Sequence, residues 1–200
     1  IRKLAAAAVE HGLEVVVAAP LEESSGISAA MTAVVDEGRV MIERRALRDV
    51  DSVPAFAVGA SPAYIVLLGT LGAFGPSPDL VLSGINRGAN AGNAVLHSGT
   101  VGATLTAASA GVRAMAVSLD VLTPAAASAA TGGAAIAAID AVDDEARNWD
   151  TAADLAGRLF AALTSMPAGT VLNLNVPDAP AGEVRGLRRA ELARFGQVQI

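Results

Sequence analysis

The sequence predicts an α/β protein built on a mostly parallel, doubly wound sheet with helices on both faces. Short apolar runs of strand length alternate along the chain with amphipathic or alanine-rich stretches of helical length. Hydrophobic residues make up 52% of the chain but aromatics only 3%, a composition suited to close helix-on-sheet packing. The polar residues gather where strands would end, which is where open α/β sheets hold their ligands.

Taken in order, Ile1 to His11 predicts an amphipathic helix with Ile1, Leu4, Ala5, Ala8 and Val9 on one face, stopped by Gly12. "LEVVVAAP" follows as a buried strand. A helix that feeds a parallel strand normally follows an earlier strand, so a first strand is expected upstream of Ile1. Arg39 to Arg44 and Ala55 to Val58 predict short strands of an excursion, and Pro62 to Leu71 a helix with proline in its first turn. "PDLVLSG" predicts a buried strand, Gly99 to Ala110 a helix, and "VRAMAVSL" another buried strand. Asp150 to Met166 predicts an amphipathic helix with Leu155, Leu159, Phe160 and Leu163 along one stripe. "TVLNLNVP" closes the series as a strand.

At 200 residues the chain is long enough for one sizeable core, which predicts a single domain over 1–200. The formal net charge of −6 argues against a general nucleic-acid binder, although local backbone donors can still hold a small anion. There are no cysteines, which excludes disulfides, thiolate metal sites and thiol nucleophiles. Pro124 to Val142 is apolar by count, but it consists of alanine with Ser, Thr and a Gly132-Gly133 pair rather than Leu and Ile, so no membrane span is expected. No secretory signal pattern is visible.

Two loops leave predicted strand ends with unusual chemistry: "LEESSGIS", Leu21 to Ser28, and "SGINRGANAGNAVLHSGT", Ser83 to Thr100. In the second loop, Ser98 or Thr100 can cap the following helix, while Gly99 leaves backbone N–H groups open to an anion at the positive end of the helix dipole. A plain Ser/Thr cap accounts for the same residues equally well. No GxxxxGK[ST] or GxGxxG pattern occurs. Asn86 and Asn90 offer carbonyl oxygens suited to Mg²⁺ or Mn²⁺ and amides suited to phosphate oxygens; in a bland reading they serve only the turn.

A divalent cation held by asparagine and serine alone would lack charge compensation, since such ions usually take one or two carboxylates. Glu22 and Glu23 read as a solvated face, Asp79 precedes its strand, and Asp120 follows one. The carboxylates are therefore expected on the strand upstream of Ile1. His11 sits at a helix C-terminus, where its role reads as structural. His97, inside the polar loop, could donate a proton but reads more simply as a loop residue.

"VVVAAPLEESSGIS", "SGINRGANAGNAVLHSGTVGA", "GVRAMAVSL" and "LNLNVPD" resemble, in order and spacing, the SurE family of survival proteins over nearly the whole chain. The resemblance implies a Rossmann-like fold and a metal-dependent 5′/3′-nucleotidase acting on nucleoside monophosphates. It implies a Mg²⁺ or Mn²⁺ ion bound by Ser25 and Asn86, with two further aspartates from an Asn-Asp-Asp-Gly motif upstream of Ile1. It implies that Asn90, Ser98, Gly99 and Thr100 line the phosphate. It further implies a cytoplasmic homodimer or homotetramer, with no membrane and no nucleic-acid polymer as partner, although much of the C-terminal region that family members use for subunit contacts is expected to be missing. The chain departs from the family pattern at Gly92-Asn93-Ala94, at His97, at Pro62-Ala63-Tyr64-Ile65-Val66 and near Thr106. These departures spare the implied ligands and bear on substrate preference and rate. They leave a second reading, a nucleotide- or anion-binding domain with weakened catalysis.

Overall fold

The computed structural model describes residues 1–21, 28–36, 38–121 and 143–192. In chain order its helices are α1 (Arg2–Glu10), α2 (Pro62–Thr70), α3 (Gly99–Ser109) and α4 (Trp149–Ser165). Its strands are β1 (Val17–Pro20), β2 (Val35–Asp36), β3 (Arg39–Val40), β4 (Ile42–Arg45), β5 (Ala55–Val58), β6 (Leu80–Arg87), β7 (Arg113–Asp120) and β8 (Val171–Pro177). Short 3-10 helices cover Gly92–His97, Asp144–Ala146 and Ala181–Glu183.

The strands β6, β7 and β8 form a parallel ladder in that order. Central β7 is buried from Ala114 to Leu119, as expected of a parallel strand covered on both faces. Its Met115, Val117 and Leu119 join Leu4 and Ala8 of α1, Ala152, Ala156, Phe160 and Leu163 of α4, and Leu174 and Val176 of β8 in the core. The alternate residues Ala114, Ala116 and Ser118 are also fully buried. They belong to the opposite face, where α3 packs with its own small buried residues, Ala103 and Ala107. Two small surfaces let helix and sheet approach closely, which is how the low aromatic content becomes packing.

A second sheet has the order β1-β5-β4, with β1 parallel and β4 antiparallel to β5. The strands β2 and β3 pair separately as an antiparallel excursion. Helix α2 packs against both β1 and α3, so it links the two sheets. Among the described residues no ladder joins β1 to β6. The architecture is the mostly parallel α/β arrangement with helices on both faces that the sequence predicts.

The elements depart from expectation at two places. "LEVVVAAP" pairs with β5 only from Val17 onward, because β5 begins opposite it at Ala55, and Val16 is exposed. In α1 the buried residues are Leu4, Ala5, Ala7 and Ala8, while Ile1 and Val9 face solvent, since α4 covers the Leu4–Ala8 side. His11 is structural as expected: its Nδ1 lies 2.8 Å from the Ala7 carbonyl and its ring meets Phe160 edge-on at 5.5 Å. Gly157 makes room for that ring, because a Cβ there would lie 2.5 Å from His11 Cε1. No helix among the described residues is long and apolar enough to cross a membrane, and Pro124 to Val142 lies outside them.

The start of α4 is fixed to the end of β8 by a buried ion pair. Arg147 Nη1 donates to Asp178 Oδ2 at 3.0 Å, and the Arg147 side chain is 2% exposed. Asn148 donates its backbone N–H and its Nδ2 to Asp178 Oδ1, both at 2.9 Å. Burial alone would raise the Asp178 pKa, but the hydrogen bonds from Asn148 and Arg147 and the guanidinium charge outweigh it and hold the carboxyl below its usual value. Because the native value is the lowered one, the stabilisation is complete above the ordinary carboxylate range and disappears as pH falls through the native value. Asp178→Ala is expected to cost about 3 kcal/mol at neutral pH, because it removes the carboxylate that the buried Arg147 side chain and Asn148 both bond. Urea unfolding of the variant and the wild type should show that gap at pH 7 and a smaller one once the pH is low enough to protonate Asp178 in the folded protein.

Candidate active site

Strand β6 carries the site, and it runs further than its apolar stretch suggests. After Gly84 the register with β7 shifts, and pairing resumes at Asn86 with Ser118 and Arg87 with Leu119. A Cβ on Gly84 would lie 2.2 Å from the Val117 carbonyl oxygen, and its φ is +124°, so the position requires glycine. Such an irregularity re-aims the side chains that follow it. Here that side chain is Asn86. Its Nδ2 donates to the carbonyls of Gly88 at 2.7 Å and Arg87 at 3.2 Å, which assigns the amide orientation. Its Oδ1 is thereby turned toward α3, 3.5 Å from Thr100 Oγ1.

Four residues further on, Asn90 is held through its backbone. Its N–H donates to Asn175 Oδ1 at 2.7 Å, and its carbonyl accepts from Asn173 Nδ2 at 2.8 Å and Asn175 Nδ2 at 3.0 Å. Its own Nδ2 donates inward to Ser118 Oγ at 2.8 Å, and both Asn90 and Ser118 are buried. The amide nitrogen of Asn90 therefore engages the sheet, and Oδ1 is the side-chain atom it has left for a neighbour.

The start of α3 faces Asn86. Ser98 is the cap, its Oγ accepting from Val101 N at 3.2 Å. The Gly99 and Thr100 N–H groups lie in the first turn, where no helical acceptor exists, at the positive end of the helix dipole. The loop that leaves β1 returns against this turn. Ser28 Oγ donates to the Leu96 carbonyl at 2.6 Å and Ser28 N to the His97 carbonyl at 3.2 Å. A Cβ on Gly102 would lie 2.6 Å from Ser28 O, so α3 and this loop are in backbone contact.

The structure thus gathers Asn86, Asn90, Ser98, Gly99 and Thr100 at the carboxyl end of β6. Ser25, with Glu22 and Glu23, lies outside the described residues. Asp79 precedes β6 at the far end of that strand, whereas Asp120 closes β7 at the near end. His97 is exposed at the end of its 3-10 segment. Among the described residues no group of three His, Asp or Glu side chains could hold a metal ion. Sequence reasoning missed Ser118, Asn173 and Asn175. The asparagines carried a signal, two residues at i and i+2 on a strand, which period-two geometry places on one face.

The fold agrees with relationships to known proteins. The chain matches the family described as Survival protein SurE over residues 1–199. It belongs to that family. It is 34% identical over 185 residues to the 5′/3′-nucleotidase SurE of Edwardsiella ictaluri, covering 92% of this chain and 60% of that protein. It is likewise 34% identical over 198 residues to the 5′-nucleotidase SurE of Stenotrophomonas maltophilia, covering 98% of this chain and 64% of that protein. Among solved structures it is similar to the SurE protein of Aquifex aeolicus, with TM-score 0.65 and 26% identity, over 93% of this chain and 64% of that one. The chain therefore spans about three-fifths of the length of these SurE relatives.

Gly84 is the position at which the strand leading to Asn86 changes register. Gly84→Ala is expected to cost about 2–3 kcal/mol, because the methyl group meets backbone rather than a movable side chain. Denaturant unfolding measures the cost. The amide resonances of Asn86 to Asn90 should move more than those of α4.

Proposed function

We propose that this chain forms part of a metal-dependent phosphomonoesterase site that hydrolyses nucleoside 5′- or 3′-monophosphates to nucleoside and phosphate. The observation that carries the reading is the meeting of an oriented acceptor, Asn86 Oδ1, with the first-turn donors of α3 across the 3.5 Å contact to Thr100. An acceptor suits a cation and free N–H groups suit an anion, so the two sides together fit a phosphate bridged to a metal. The names of the SurE relatives, 5′-nucleotidase and 5′/3′-nucleotidase, support a nucleotide as the phosphate ester.

The donor set fits a hard divalent cation such as Mg²⁺ or Mn²⁺ in kind, since Asn86 offers an amide oxygen whose orientation two carbonyls fix. It does not supply the charge. Ser25 is the second proposed ligand. Carboxylates are proposed to come from a further strand beside β6, on the side where no described strand pairs with it. Once bound, the cation would polarise the phosphoryl group and lower the pKa of a water molecule. The chain's own part is positioning and charge stabilisation. The Gly99 and Thr100 N–H groups and the Ser98 and Thr100 hydroxyls can donate to phosphoryl oxygens, and these donors are set in place before substrate arrives. Asn90 is proposed to line the phosphate beside these donors, its amide nitrogen bonded to Ser118.

A second reading, a nucleotide-binding domain with weakened catalysis, rests on the departures from the family pattern at Asn93, Ala94 and His97. Phosphate release from a panel of nucleoside monophosphates by the intact protein separates the two. Turnover is expected with Mn²⁺ or Mg²⁺ and should vanish with chelator; binding without turnover would support the second reading. Asn86→Ala should raise the metal concentration for half-activation about 10- to 100-fold. Thr100→Ala should chiefly raise KM, about tenfold, through loss of a charge-assisted hydrogen bond. If neither variant changes turnover, the assignment of these residues is wrong.

A further inference from the structure

Strand β8 presents Asn173 and Asn175 on its exposed face, opposite buried Leu174 and Val176. Asparagine is depleted in strands because its side chain packs poorly there and competes with the backbone for hydrogen bonds. Two asparagines at alternate positions of one strand therefore need a reason beyond folding. Both side chains reach the same residue. Asn175 accepts from Asn90 N–H at 2.7 Å and donates to Asn90 O at 3.0 Å, so its amide pairs with the Asn90 peptide groups much as a neighbouring strand would. Asn173 adds a second donor to the same carbonyl at 2.8 Å.

We infer that Asn175, assisted by Asn173, is a positioning residue of the phosphate-hydrolysing site: it clamps the Asn90 backbone to β8 and so fixes the loop between Asn86 and the start of α3. The inference rests on the nucleotidase reading for its catalytic consequence, but the clamp itself is independent of that reading. Among the described residues neither asparagine hydrogen-bonds to Asn86 or to α3, and both bond to Asn90, so each acts through Asn90. Besides these bonds, the Asn90–Ser118 bond and a bond of 2.8 Å from the Gly88 N–H to the Leu119 carbonyl tie the loop to the sheet. Hydrogen bonds at an exposed strand face add little to global stability. A displacement of about 1 Å at a reacting centre, in contrast, can cost about 100-fold in rate.

The test uses the intact protein with Mn²⁺ and its best-hydrolysed nucleoside monophosphate. Asn175→Ala is expected to lower kcat about 10- to 100-fold, with the smaller change in KM. Asn173→Ala, which loses one bond instead of two, should fall between it and the wild type. In parallel, hydrogen exchange at the Asn90 amide should become at least about tenfold faster in Asn175→Ala, one unit of protection having been lost. Exchange at β7 amides such as Met115 should stay unchanged. Phe160→Leu, a core change remote from the loop, serves as a control for lost stability and should leave kcat near wild type. The inference is overturned if Asn90 exchange is unchanged, or if Asn175→Ala and Phe160→Leu lower kcat equally. If the wild type releases no phosphate, the nucleotidase reading fails and a positioning role in catalysis fails with it. The Asn90 exchange result then still decides whether the clamp exists.

Discussion

The bonds between Asn90 and strand β8 are the constraint on which the arrangement of the site depends. A loop rich in glycine and asparagine has many accessible conformations, and fixing each residue costs on the order of 1–2 kcal/mol of entropy. This loop starts from a bulge at Gly84 and ends at the Ser98 cap, with both ends set by the packing of β7 and α3. Between them the Gly88 N–H bonds to the Leu119 carbonyl, and the peptide groups and amide nitrogen of Asn90 are directed into the sheet. The consequence is a set of ordered, uncharged groups at Asn86 and the start of α3, and such oxygens and N–H groups can face a cation and an anion at once.

Charge is placed elsewhere. The buried pair of Arg147 and Asp178 anchors α4 to the end of β8, with Asp178 also accepting from Asn148. That pairing matters for the site indirectly, because β8 can hold Asn90 only if its own end is fixed. Core packing of Leu174 and Val176 beneath the strand does the rest. The structure thus stacks three levels: an apolar core under β8, an ion pair at its end, and an asparagine clamp on its outer face.

Much of this is legible in the sequence. The alternation of "PDLVLSG", "VRAMAVSL" and "TVLNLNVP" with helical stretches points to the parallel strands β6, β7 and β8, and "HSGT" correctly marks the start of α3. Asn86 and Thr100 read as parts of one site, and the structure brings them into contact. What sequence does not carry is the direction of each amide. Asn90 reads as lining the phosphate, and nothing in its loop sequence shows that its nitrogen bonds to Ser118 of another strand. Ser118 sits in an apolar run and carries no local signal. The start of β1 is hidden for a related reason. "LEVVVAAP", Leu13 to Pro20, reads as one strand throughout, but ladder pairing is a property of the partner strand, and β5 reaches only Val17.

Asn86 and the start of α3 are assigned to the two sides of one phosphate–metal centre. Crystals of the intact protein grown with Mn²⁺ and orthovanadate, an analogue of phosphate, test that assignment most directly. The expected result is anomalous density for Mn²⁺ within bonding distance of Asn86 Oδ1, and vanadate oxygens accepting from the Gly99 and Thr100 N–H groups. Metal and vanadate bound away from β6, with the Asn86 amide unchanged and the α3 turn empty, would contradict it.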